Sequence, residues 1–312
     1  MEQLTQQLVN GIMLGCLYAL IAVGYTMVYG IIELINFAFS ELFMFGAFIC
    51  IALTSTQISL FGSVVGMPQI SFFLAVIAAM LIVGLLGVAM ERLAYRPLRN
   101  APRLAALISA IGMSIFLQNL AQSIFGSQQI KFPDIPVFTT SAGMAKAVTI
   151  LGAQVTYLQL FVVLVTVAAM VVLNVFVNRT RLGRAMRASA QDKRTAALMG
   201  VNVNAIIAVT FFVGSAMGAL AGGLYGAVYH FARPDMGFVP GLKAFIAAVL
   251  GGIGNIPGAF LGGLLLGMVE SLGAAYIPGG SQYRDAIAFV ILILLLSFKP
   301  NGLLGSPVSE KA

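Results

Sequence analysis

Six long stretches of this sequence carry no Asp, Glu, Lys or Arg, and they leave very few folds open. They run through 3–32, 42–90, 104–130, 147–178, 195–232 and 244–269. One bilayer crossing takes about 20 mostly apolar residues, so several of these can span, and 42–90 can span twice. No water reaches the hydrocarbon core to pair with the backbone, which leaves helices or a closed barrel. The runs lack the alternation of a barrel strand. The expected fold class is therefore all-α: a polytopic helical membrane protein with about 8–9 membrane segments, forming a single transmembrane domain over 1–312. Composition agrees, since 60% of the residues are hydrophobic and 9% charged, against about 25% charged in soluble domains. Glu2 is the only charge before Glu33, so the basic start of a cleavable signal peptide is not expected. Cys16 and Cys50 lie within apolar runs and read as small buried thiols.

Basic residues set the topology. Arg92, Arg96, Arg99 and Arg103 form one cluster, and Arg179, Arg181, Arg184, Arg187, Lys193 and Arg194 form another. With Lys299 and Lys311 they make up twelve of the seventeen Lys and Arg. The positive-inside rule places these twelve in the cytoplasm and the loops holding the other five, Lys131, Lys146, Arg233, Lys243 and Arg284, outside. The net charge of +7 is thus a topology signal and not a nucleic-acid footprint. Spans near 8–30, 42–58, 70–90, 104–125, 155–178 and 205–230 satisfy this pattern, with a last one near 284–299. The N-terminus is then periplasmic and the C-terminus cytoplasmic. To keep Lys299 and Lys311 inside, 244–272 must enter the membrane and return. Gly251, Gly252, Gly254 and Pro257 stand in its middle, where they interrupt a helix. The stretch therefore reads as two short helices around a break, re-entrant or oblique.

Polar residues inside the apolar runs suggest a path, because they are costly in lipid. Asn36 and Glu41 follow the first span, with Glu33 beside them; Ser114, Gln118 and Asn119 lie on the fourth, where Gln118 and Gln122 share a face. Glu270 follows the broken segment. Bonding between neighbouring helices explains any one of them equally well. Glycines at 214, 218, 222 and 226 recur every four residues and mark a close-packing stripe. Enzyme readings are weakly supplied. The single histidine, His230, leaves little for a metal site, and Ser215 lies over about 20 Å from it along one helix. No phosphate-binding glycine loop of the G-x-x-x-x-G-K-[ST] kind occurs, so ATP is not expected to bind here through that motif.

The second basic cluster reads as a short amphipathic helix. Arg184, Arg187, Gln191 and Arg194 fall on one helical face, Ala185 and Ala188 allow close packing, and Gly200 ends the segment. Such a helix suits a groove on a partner or a surface of anionic lipid.

Several fragments together resemble one family: Gly15–Leu20, Gly24–Ile31, Ile35–Ala38, Glu91–Arg99, Leu107–Asn119, Leu182–Ala188, Gly241–Phe245 and Val249–Ala259. In this order, over nearly the whole chain, they resemble the permeases of branched-chain amino acid ABC importers, in particular the first of their two permease subunits. The resemblance implies alternating access with a second homologous permease, two ABC ATPase subunits that hold ATP and magnesium, and a periplasmic substrate-binding protein. No cofactor is then bound by this chain. It makes 183–200 the segment that couples to the ATPases, with Gly183, Arg184, Ala185, Arg187, Ala188, Asp192 and Gly200 as its candidate residues. The pathway candidates are Asn36, Glu41, Ser114, Gln118 and Asn119. The family commonly reads Asn-Phe-Ala-His-Gly-Glu after the first span, whereas this chain has Phe39 and Ser40 where His and Gly are usual. Urea or a short amide therefore stays open as cargo. An ion-coupled carrier using Glu33, Glu41 or Glu270 is the remaining alternative, with a passive channel behind it.

Overall fold

A computed structural model describes the chain except residues 1, 33–35, 68, 100, 140–144, 151, 278, 281, 300–301 and 306–312. Glu33 and Lys311 fall outside the described residues. Long helices dominate: α1 (Glu2–Ile32), α2 (Phe39–Thr54), α3 (Phe72–Met90), α4 (Arg103–Phe125), α5 (Tyr157–Arg179), α8 (Val203–Tyr229), α10 (Ile256–Tyr276) and α11 (Arg284–Phe298). Between α5 and α8 lie α6 (Arg181–Gln191) and α7 (Lys193–Leu198), and α9 (Phe238–Gly251) precedes α10. Among the described residues, six helices are long and apolar enough to cross a membrane, and α2 and α9 are shorter apolar helices.

Short strands, which the sequence reading did not anticipate, join some of the helices. β1 (Gln57–Leu60) and β2 (Ser63–Gly66) pair as an antiparallel hairpin after α2, and β4 (Ala147–Ile150) pairs with β5 (Ala153–Thr156) before α5. β3 (Ile130–Lys131) pairs with β6 (Phe231–Ala232). The span expected over 42–58 accordingly ends at Thr54, whose hydroxyl folds back on the carbonyl of Cys50.

The chain divides into two compact units. One comprises Met27–Ile135 and Val175–Gly241. Its centre is α2, which is buried along nearly its whole length. Glycines let α8 approach: a Cβ on Gly222 would stand 1.9 Å from the carbonyl oxygen of Phe43, and one on Gly46 would stand 2.5 Å from Ala219 Cα. The glycine stripe of α8 is thus a packing face, as its four-residue spacing suggests. α3 continues into a π-helical turn, Glu91–Tyr95, closed by the bond from Arg96 N to Glu91 O at 2.7 Å. Such turns widen the helix by one residue and are common where side chains must be re-aimed. Here the turn buries Glu91 and Tyr95. α4 turns Leu104, Ile108, Ile115 and Phe116 outward. An exposed apolar face of this kind suits lipid or another subunit and not water.

The other unit comprises Met1–Thr26, Pro136–Asn174 and Leu242–Ala312. α1 and α10 cross closely, with Gly267 against the backbone of Gly15 and Gly263 against Ala19. The chain breaks between α9 and α10. Gly251 is the last residue of α9; Gly252 and Gly254 take φ of +103° and +90°, conformations that glycine adopts without a Cβ clash. Asn255 caps α10 by accepting from Gly258 N at 3.2 Å. Pro257 sits in the first turn of α10, so it seeds that helix and does not interrupt one, because a first-turn N–H needs no intrahelical partner.

Candidate functional site

α2 begins with a turn in which Phe39 N donates to Asn36 O at 3.1 Å. In the first turn of the helix, Glu41 points into the protein at 0% exposure. Ser114 Oγ donates to Glu41 Oε1 at 2.9 Å, and Gln118 Nε2 donates to the same oxygen at 3.1 Å. Ser114 and Gln118 stand at i and i+4 on α4, so one face of that helix supplies both donors. Glu41 Oε2 has no hydrogen-bond partner among the described residues. The neighbouring Ser40 hydroxyl is used elsewhere, donating to Phe37 O at 2.8 Å. Asp235 is paired with Arg233 at 2.9 Å.

Asn36 is buried too, and its Oδ1 accepts from the Tyr95 hydroxyl on the π-helical turn. Its Nδ2 donates to nothing among the described residues. Glu91, from the same turn, pairs with Arg99. Four of the five pathway candidates therefore lie in polar contacts of one unit, with Asn36, Glu41 and Ser114 buried and Gln118 half-buried. The fifth does not join them: Asn119 is exposed and donates back to Ile115 O on its own helix at 2.8 Å. Gln122, on the same face as Gln118 by spacing, is exposed as well.

Glycines close the chain over this site. A Cβ on Gly237 would stand 2.6 Å from Ser40 O and 3.0 Å from Glu41 Oε2, and one on Gly241 would stand 2.2 Å from Ser40 Cβ.

The coupling candidates are placed differently from the sequence reading in one respect. α6 ends at Gln191 and α7 begins at Lys193, so Arg194 does not share a helical face with Arg184, Arg187 and Gln191. Asp192 causes the break. It sits extended and accepts from Arg194 N at 2.8 Å and Thr195 N at 3.2 Å, the work of an N-cap. Thr180 caps α6 in the same way through Gly183 N at 3.0 Å. Gly183 itself is buried, and a Cβ on it would stand 2.2 Å from Val177 O. Arg184 and Ala188 are exposed and Ala185 half-buried. Arg187 donates to Val177 O and to Asn178 Oδ1, tying α6 to the end of α5. Gly200, at φ +84°, ends α7 with bonds from Gly200 N to Ala197 O and from Val201 N to Ala196 O, a Schellman motif. Just before it, Leu198 and Met199 are almost fully exposed.

The family model described as branched-chain amino acid transport system / permease component matches residues 7–296. The chain belongs to that family. This permease is 48% identical over 98% of its length to the high-affinity branched-chain amino acid transport system permease protein BraD of Pseudomonas aeruginosa, of which 97% is covered. It is 44% identical to the corresponding LivH of Escherichia coli K12, over 98% of this chain and 97% of that one. Over a shorter stretch, 40% of each chain, it is 32% identical to the probable branched-chain amino acid transport permease protein LivM of Methanocaldococcus jannaschii. The likeness accords with a multi-pass transport subunit, and not with an enzyme.

Proposed function

We propose that this permease conducts branched-chain amino acids across the inner membrane as one half of an ABC importer. The observation that carries the reading is near full-length identity to permeases named for that cargo, 48% and 44%. Those names support branched-chain amino acids over urea or a short amide. A second, homologous permease completes the conduit, and the likeness to LivM supports such a relationship. Two ATPase subunits carry ATP and magnesium and hydrolyse the nucleotide. A periplasmic binding protein delivers the cargo, and this chain binds no cofactor. With the N-terminus periplasmic and the C-terminus cytoplasmic, α6 and α7 face the ATPases. The whole of 1–312 acts as one transmembrane permease domain, in which Asn36, Glu41, Ser114 and Gln118 are pathway groups. Gly251, Gly252, Gly254 and Pro257 supply the break between α9 and α10, since irregular backbone at membrane depth requires burial or a watery wall.

The test is uptake into proteoliposomes. Radiolabelled leucine, isoleucine or valine should accumulate only when the second permease, the ATPases, ATP and the binding protein are all present. Uptake by this chain alone under an ion gradient would instead identify a secondary carrier.

A further inference from the structure

Three carboxylates among the described residues are buried: Glu41, Glu91 and Glu270. Two of them have a cation, since Glu91 pairs with Arg99 and Glu270 with Lys243. Glu41 is the most deeply enclosed of the three and has no cation among the described residues. Buried carboxylates persist when they are paired or fully hydrogen-bonded, and Glu41 is neither, because Oε2 accepts nothing. An ionisable group of this kind inside a transport protein marks the path of a charged partner.

We propose that Glu41 is the counter-charge for the primary ammonium group of the cargo as it passes through this permease. The inference rests on the amino-acid reading above. The surroundings of the carboxylate fit the role. A hydroxyl and a side-chain amide, both neutral, hold Oε1 in place; they orient the group without cancelling its charge. Over Oε2 lies Gly237, where a Cβ would stand 3.0 Å away. Glycine, with no side chain, leaves room beside this oxygen where a larger residue would crowd it.

The experiment uses the assembled importer in proteoliposomes, comparing wild type with Glu41→Gln and Glu41→Asp. Glu41→Gln keeps the size and an acceptor for Ser114 but removes the charge. It should lower leucine uptake per ATP hydrolysed about tenfold or more, with the importer still assembling. Glu41→Asp, which retains the charge, should recover a substantial part of the uptake. Equal uptake per ATP in Glu41→Gln and wild type overturns the proposal. So does a parallel loss of uptake and ATP hydrolysis in both variants, which would mark a structural role. Should Glu41→Gln fail to assemble, Glu41→Asp decides: uptake must largely persist with the retained charge, and abolished uptake in an importer that still assembles refutes the role. A wild-type importer that takes up no branched-chain amino acid would fail the functional reading instead, a separate and visible result.

Discussion

Lys243 Nζ lies 2.8 Å from Glu270 Oε1, with both side chains almost wholly buried. The pair is fully served. Tyr18 on α1 donates to Glu270 Oε2 at 3.0 Å, and Asp285 at the start of α11 stands 2.8 Å from the same ammonium. Within its unit this network joins α1, α9, α10 and α11. A buried pair contributes little net stability against an apolar replacement, but removing one partner leaves an uncompensated charge.

Lys243→Met should therefore lower the stability of the purified permease by about 3–5 kcal/mol. Lys243→Met combined with Glu270→Leu should recover much of that loss, and Tyr18→Phe should cost only about 1 kcal/mol. Denaturation in mild detergent, run as a double-mutant cycle, checks this. Additive losses in the double variant would contradict it.

Glycine contacts make a second, sharper contrast. Gly222→Ala places a methyl group where Phe43 O already stands, so α2 and α8 must separate, at a cost of about 1–3 kcal/mol or more. Gly112→Ala, on α4, meets nothing within 4 Å and should be neutral or slightly stabilising, because alanine favours helix over glycine by about 1 kcal/mol. Thermal unfolding of the two variants side by side distinguishes them.

Charge reversal on α6 separates docking from folding. Arg184 is exposed, whereas Arg187 also ties α6 to the end of α5. Arg184→Glu and Leu198→Asp should reduce co-purification of the ATPases and ATP-driven uptake, with membrane insertion unchanged. Arg187→Glu should in addition loosen α6. Unaltered assembly and uptake in Arg184→Glu and Leu198→Asp would remove α6 and α7 from the coupling role.

Asp192→Ala takes away the cap that starts α7, a loss of about 1 kcal/mol. Amide exchange over 193–198 should quicken in this variant, while exchange in α8 stays as it was. Gly200→Ala forces a side chain into φ +84° and should act on the same segment from its other end.

The spans were legible because hydrophobic length survives any change of neighbours. Each long uncharged run yielded a helix close to its expected limits, and the glycines at 252 and 254 announced the break between α9 and α10. What sequence could not convey was pairing across distance. Lys243 reads as a loop charge because its partner is 27 residues further on, and nothing local distinguishes a paired ammonium from a solvated one. Glu41 and its two donors were each visible as costly polar groups. Their convergence, across 73 and 77 residues, comes from the packing of α4 beside α2. The hairpins at 57–66 and 147–156 were hidden within uncharged runs. Arg194 was misplaced because Asp192, a good cap, also fits the middle of a polar helix face by composition.

The burial of α2 bears on how the chain is made. Its glycine-matched partner is α8, which follows about 150 residues later in synthesis. At about 5–20 residues per second, α2 waits on the order of ten to thirty seconds before the helix that covers it has been translated. During that interval the translocon, a lipid or a chaperone must shelter a segment that ends up enclosed by protein. Nascent chains halted before Val203 should then be the forms most exposed to membrane quality-control proteases.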